Sequence, residues 1–527
     1  MKKHRGCRVA LAVVAAAILA LAGLALLVGP FGPARSAGSI RNGLLYATVA
    51  DGQKSIRSQP PVVPSPMPHV PVPQHPFMAS NAGNNMHNDA YMSDTSEAAG
   101  PLGPDLQVQS KTQGFGGYGT IAFDRQGRLV GVYSNGRRFQ LELMDANSLA
   151  ELAAYDLPSQ PAGFILEGTM PWEYIGAGMY FFLDHLDRAV VPTTANTVQV
   201  VQVPDLVEQK QFELVREYDL AAHVVPMDWP HQDSVAWVLP DWSGRTYWYA
   251  TTGGMVGAVD VVTGQVRTRR LEGEIVENSF AVAEDGVYII SDRALYRFTQ
   301  DESGAIVTQW RTEYDRGPRA KPGVITRGSG TSVTLIGQDP GVVAVTDNAE
   351  PQIHLLYVRR SDGQVLCQAP LFEPGRSATD ITVVGLELAV GGRMAAITEN
   401  NWSRHVFPFA NPEPGITRVD LVPQEDGSFR CEAMWSSIER NLGVFKASLG
   451  SGLLYLYSGE GSVFNQRWYL TAVDLATGQT VYRQLAGTGL GYDNWAGALF
   501  IHPGGGVAYS TTIFGLVMIH DGAMTPR

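Results

Sequence analysis

Several short polar groups stand immediately ahead of alternating apolar runs, and their residue types suit metal or acid–base chemistry. Glu277-Asn278 precedes Ser279-Phe280-Ala281-Val282, Asp380 precedes Ile381-Thr382-Val383, and Asp493-Asn494 precedes Trp495-Ala496. His231 and Asp233 stand before Ser234-Val235-Ala236-Trp237, and Arg327 before Thr331-Ser332-Val333. Oxygens from Glu277, Asn278, Asp380, Asp493 and Asn494 make a hard-donor set suited to Ca2+, which takes roughly six to eight such ligands. A metal held in this way polarises a carbonyl for hydrolysis. His231, and His185 in Asp184-His185-Leu186-Asp187, are the candidate general bases. A plainer account covers each residue singly, because Asp and Asn bond turns and cap strands widely. The set gains weight because Glu277-Asn278 and Asp493-Asn494 fall at the same place in two repeats.

His87, Asn88, Asp89 and Asp94 form a second group of ligand types, within a stretch that has neither helical nor strand period. Such clusters form turns more often than they bind metals. Other apparent motifs carry nothing. Gly114-Phe115-Gly116-Gly117-Tyr118-Gly119 matches G-x-G-x-x-G but precedes a strand, so it lacks the helix N-terminus that a pyrophosphate needs. There is no His-Glu-x-x-His, no Cys-x-x-Cys and no Gly-x-Ser-x-Gly, which leaves zinc-protease, redox and serine-esterase readings without a motif.

The elements that must position these residues are strands. Ala258-Val259-Asp260-Val261-Val262-Thr263-Gly264-Gln265 returns as Ala472-Val473-Asp474-Leu475-Ala476-Thr477-Gly478-Gln479, each copy reading as a tight hairpin turn. Similar signals stand at Asp145-Ala146-Asn147-Ser148, Pro204-Asp205, Glu302-Ser303-Gly304, Asp362-Gly363, Asp426-Gly427 and Asp521-Gly522. The spacing of roughly 40–65 residues is that of four-stranded propeller blades with loop insertions. It predicts an all-β chain folded as a single β-propeller of eight four-stranded blades, or seven if the weak turn at Asp205 is not one. The final repeat lacks an outer strand, and Leu106-Gln107-Val108-Gln109-Ser110 is expected to supply it and close the ring. Segments leading into the inner strands then converge on one mouth of the channel, where the polar groups above would meet.

The Ala-x-Asp-x-x-Thr-Gly turn resembles that of the eight-bladed quinoprotein-like propellers, the superfamily of quinone-dependent alcohol dehydrogenases and outer-membrane assembly lipoproteins. In that family a Trp four residues past the Gly docks one blade on the next. Here Thr268, Cys367, Cys431 and Tyr482 stand at that offset, so the Trp is expected to be missing; Trp310 and Trp435 fall two and four residues late. The resemblance implies a quinone with Ca2+ in its dehydrogenase branch, although the adjacent-cysteine pair usual there is absent. The Glu, Asn and Asp placement is similar to that of calcium-dependent lactonase and organophosphatase propellers.

Composition sets the compartment and the partners. The chain has 527 residues, 45% hydrophobic and 17% charged, with 57 Gly, which suits many short strands joined by turns. A net charge of −12 argues against a nucleic-acid partner. Lys2, Lys3, Arg5 and Arg8 precede an apolar run from Val9 to Val28, long enough to cross a bilayer. A cleaved signal peptide is the alternative, with Arg35 disfavouring the best site after Ala37. The expected organisation is a cytoplasmic tail (1–8), a transmembrane anchor (9–29), a spacer and Pro-rich arm acting as a stalk (30–76), an irregular cap (77–104) and the propeller (105–527). The globular part would be periplasmic or extracellular. Cys367 and Cys431 sit at equivalent offsets in neighbouring repeats and are expected to be unpaired buried thiols. Function stays open between a small-molecule site at the channel mouth, including a metal-assisted hydrolase, and a non-catalytic platform for a protein partner. A quinone-dependent dehydrogenase is a further alternative.

Overall fold

The computed structural model describes residues 39–40, 54–58, 61 and 63–522, except 104, 113–115, 136–137, 160–177, 179, 226–232, 325, 340, 403–411, 462–465 and 495–496. Eight sheets follow one another along the chain, each built on four antiparallel strands that run in sequence order from the axis outwards except for the outer strand of blade 8. The inner strands of blades 1 to 8 are Gly117–Phe123, Phe182–Leu183, Val235–Pro240, Ala281–Ala283, Thr334–Ile336, Val383–Leu388, Lys446–Ser448 and Leu499–Ile501. Leu106–Thr112 pairs with Gly515–Asp521 as the outer strand of blade 8, so the ring closes as the sequence predicts. We call the face where inner strands begin the upper face, and the face of the first hairpin turn of each blade the lower.

The repeated turn works through its Asp. Asp260 Oδ1 accepts from the Thr263 N–H at 2.6 Å and from the Thr263 hydroxyl at 2.9 Å, while Gly264 takes a φ of 74°. Asp474, Thr477 and Gly478 repeat the arrangement. The family's offset carries no Trp at Thr268, Cys367, Cys431 or Tyr482, but two later tryptophans, Trp310 and Trp435, dock neighbouring blades. Trp310 Nε1 donates to the Arg360 carbonyl at 2.9 Å and its ring covers Gly363 of the next blade. Trp435 Nε1 donates to the Leu475 carbonyl at 3.0 Å and covers Gly478. Both follow a register shift, between Arg297 and Phe298 and between Arg418 and Val419 on the partner strands, which accounts for one residue of each displacement.

A bulge also explains the cysteines. Cys367 and Cys431 form a disulfide with Cα atoms 5.8 Å apart, contrary to the expectation of two free thiols. Both lie on outer strands, Val365–Pro370 of blade 5 and Phe429–Ser437 of blade 6. In blade 5 the register shifts between the partners of Val365 and Cys367, whereas Phe429 to Cys431 pairs without a shift. One extra residue reverses the face of every side chain beyond it, so equal offsets from the turn give opposite faces that meet between the blades.

Residues 54–103 are neither a free stalk nor an external cap. Ser55–Arg57 pairs with the outer strand of blade 7, and His69–Val70 pairs with the inner strand of blade 6. From Met78 the chain enters the channel as a buried strap. Its carbonyls accept from N–H groups of inner strands around the ring: Phe123 to Gly83, Val282 to Ala90, Leu335 to Tyr91, Gly385 to Ser93 and Ala447 to Asp94. Inner strands present an unpaired edge to the channel, and the strap satisfies it. Thr95–Ser96 adds to Lys446–Ser448 as a short parallel pair. Met86, Tyr91 and Met92 are buried against the blades, and the Tyr91 hydroxyl donates to Glu284 at 2.9 Å.

Candidate functional site

Glu277 follows the outer strand of blade 3 and leads into blade 4 on the upper face. The Thr326 hydroxyl donates to one carboxylate oxygen, while Oε1 is buried without a partner. Burial, with a contribution from the charge of Asp292, pushes its carboxyl up to about 7. Tyr180, leading into blade 2, has its phenol pushed up by burial first and then by the negative charges of Glu277 and Asp380. Blades 2, 4 and 6 therefore place Tyr180, Glu277 and Asp380 in one electrostatic neighbourhood, with Trp237 of blade 3 bridged to Tyr180.

The other candidates behave differently. Asn278 donates to the Ser329 carbonyl at 3.3 Å, a bond between adjacent blades. Asp493 is 1% exposed and its backbone is bonded within its own blade, the Ile513 N–H donating to its carbonyl at 2.8 Å. Asn494 Nδ2 donates to Gly497 at 3.4 Å, leaving Oδ1 buried and unpartnered. His185 sits in the exposed first hairpin turn of blade 2, on the lower face, edge-on to Phe77 at 5.4 Å. It is at the opposite end of the channel from Glu277. His231 lies outside the described residues.

Sequence reading missed Glu399, the last residue of the second strand of blade 6. It is 0% exposed, and its carboxyl lies against the Asn401 amide without a well-formed hydrogen bond among the described residues. Burial, then the charge of Asp94, raises its carboxyl well above the ordinary range, so it stays neutral and able to donate. Asn401 is its near neighbour in sequence; Oδ1 accepts from the Asp380 N–H at 2.8 Å and Nδ2 is buried without a partner. Nothing in the sequence separates Glu399 from any acid that ends a strand.

His87, Asn88, Asp89 and Asp94 are spent within the strap and on the blades rather than held open for a metal. Asp89 accepts from the Ser93 hydroxyl at 2.5 Å and the Tyr91 N–H at 2.8 Å, and burial pushes its carboxyl up to about 7. Asp94 pairs with His87 at 2.9 Å and Lys446 at 2.5 Å. Its contacts with His87 and Lys446 hold its carboxyl below the ordinary range despite burial, which opposes them.

Among the described residues no group of three or more His, Cys, Asp or Glu side chains stands close enough to hold a metal ion. The five proposed ligands come from the entries to blades 4, 6 and 8, and the amide nitrogens of Asn278 and Asn494 make local bonds. A quinone in the channel does not fit either. The channel interior holds a cavity of about 20 Å³ beside Met86, His87, Tyr180, Trp237 and Ser279, room for about one water molecule. A three-ring cofactor there would have to displace the strap.

No family model matches the chain, and no curated protein is significantly similar. Among solved structures it is similar to the quinohemoprotein alcohol dehydrogenase from Comamonas testosteroni, at 10% identity and a TM-score of 0.50, over 86% of this chain and 82% of that one. It is also similar to the Cps50 (Swd1) β-propeller domain of Myceliophthora thermophila, at 11% identity and a TM-score of 0.38, over 64% and 93%. The likeness to the dehydrogenase is one of fold, the β-propeller.

Proposed function

We propose that the chain is an extracytoplasmic, membrane-tethered propeller that binds a small neutral polyhydroxyl molecule at the upper mouth of its channel, outside the strap-filled interior. The observation that carries this reading is the set of buried polar atoms around that end without a well-formed hydrogen bond among the described residues. They are Glu277 Oε1, Thr346 Oγ1, both Glu399 oxygens, Asn401 Nδ2, Asn494 Oδ1 and Thr511 Oγ1, drawn from blades 4, 5, 6 and 8. Each such group costs about 1–3 kcal/mol unless something bonds it. Donors and acceptors are mixed, Glu399 is neutral, and Tyr180 and Trp237 offer aromatic surface nearby. Hydroxyl groups both donate and accept, so a polyol or sugar suits the set better than an ion does. The Cys367–Cys431 disulfide belongs to an oxidising compartment, in agreement with the apolar run at Val9–Val28. Among the described residues no helix is long and apolar enough to cross a membrane, and residues 9–29 fall outside them.

Native mass spectrometry of protein released gently from membranes tests the proposal. A bound small molecule should accompany the wild type and be lost in Glu399→Met, which keeps volume and removes the polar atoms. A bare wild-type mass, with no shift in melting against a panel of sugars and polyols, would refute it. A co-purifying protein in place of a small molecule would favour the platform reading.

A further inference from the structure

The chain joins the propeller at its upper rim, on the face that carries the mouth. Ile40 is buried there: its N–H donates to Ser110 Oγ at 3.1 Å, and the Tyr492 hydroxyl donates to its carbonyl at 3.0 Å. Tyr492 ends the short helix Leu490–Tyr492, which links the outer strand of blade 7 to the inner strand of blade 8 on the upper face. Phe514, in the upper turn between the second and third strands of blade 8, packs against the same apolar cluster. From Ile40 the chain descends. Ser55–Arg57 pairs antiparallel with residues 482–484 on the outside of blade 7. By Met67 it has reached the lower face, where the Met67 N–H donates to the Leu449 carbonyl at 2.9 Å. Eleven steps along the chain separate Gly29, the end of the apolar segment, from Ile40, a reach of at most about 40 Å. Laying the lower face on a bilayer would take up about 25 Å of that reach in passing a strand as long as Leu106–Thr112. Laying the upper face there takes up none.

The two faces also differ in charge. In every blade an Asp stands at the lower end of the third strand or within three residues of it, from Asp145 in blade 1 to Asp521 in blade 8. Glu208, Glu302 and Glu425 add to this acidic ring on neighbouring positions. Among the described residues only one Asp of the ring is in an ion pair, Asp362 with Arg359 at 2.8 Å. An anionic lipid surface repels such a ring once it comes within a screening length of about 10 Å. The corresponding upper turns of blades 2, 3 and 8, at 193–196, 252–254 and 513–514, carry no charged residue. We infer that the propeller docks its upper rim on the bilayer that holds its own N-terminal segment, with the acidic lower rim turned away. This rests on reading residues 9–29 as an uncleaved anchor. The partner is the polar headgroup layer, and the upper mouth opens onto it. A ligand reaches the mouth from the membrane side, because the strap fills the channel behind it.

The test places a fluorophore on either face of blade 6, in full-length protein reconstituted into nanodiscs of phosphatidylethanolamine and phosphatidylglycerol. Ile438 is 86% exposed and follows the outer strand on the upper face; Val390 is 77% exposed and sits in the first hairpin turn on the lower face. The label is attached through Ile438→Cys or Val390→Cys, each combined with Cys7→Ser, while the Cys367–Cys431 disulfide stays oxidised and unlabelled. Both replaced side chains are exposed, and melting curves establish that the variants are folded. With a quencher on the lipid headgroups, the Ile438 label should be quenched several-fold more than the Val390 label. Equal quenching of the two, or stronger quenching of the Val390 label, overturns the docking and leaves the anchor standing. Protein that washes off native membranes in alkaline carbonate refutes the anchor, and the docking falls with it.

Discussion

Reducing the Cys367–Cys431 disulfide should lower stability by an amount set chiefly by the chain it closes. The bridged residues are 64 apart in sequence. Closing a loop of that length removes about 14 cal/mol/K of entropy from the unfolded chain, or about 4 kcal/mol at 25 °C. Unfolding entropy scales at roughly 2.1 cal/mol/K per residue, which gives about 0.9 kcal/mol/K for the propeller. The melting temperature should therefore fall by about 5 °C on reduction. Scanning calorimetry of oxidised protein, of protein in reductant and of the Cys367→Ser/Cys431→Ser double variant measures it. Reduction should leave the double variant unchanged. A drop seen equally in that variant, or alkylation of both cysteines in denatured, unreduced protein, would refute the reasoning.

Trp435→Ala removes a buried ring from the Gly478 turn together with its bond to Leu475. It should cost about 3–5 kcal/mol in denaturant melts, against about 1 kcal/mol for Trp435→Phe. Glu277 has a folded pKa of about 7 against an ordinary 4.5, so the folded protein holds a proton that the unfolded chain has released between those values. Stability should decline as pH rises through that window and level off above it, and Glu277→Gln should remove that part of the decline. Asp94 runs the other way: its contribution is present above the ordinary carboxylate range and lost as pH falls through its lowered pKa, which acid titration of the melting temperature reads.

The architecture was legible because hairpin turns are local chemistry. Asp260-Thr263-Gly264 and its copy at Asp474 declare themselves in a few residues, and counting from them yields the blade number and the closing strand at Leu106. The phase of the repeats also placed Glu277 and Asp380 on one face, where both act on Tyr180. What failed depends on single-residue register shifts. The bulges beside Trp310, Trp435 and Cys367 leave no mark in composition, yet each moves or turns a side chain and changes what it meets. The strap was opaque for a different reason: its order comes from the inner-strand edges it pairs with and not from any period of its own. Ser332 and His87 are 245 residues apart and meet only because the strap threads the ring.

The claim that the upper end of the channel is a ligand site is tested most directly by a high-resolution crystallographic map of that region. The account predicts continuous non-water density within hydrogen-bond reach of Glu277 Oε1, the Glu399 carboxyl and Asn494 Oδ1. Finding those atoms bonded only to ordered waters or to one another would contradict it.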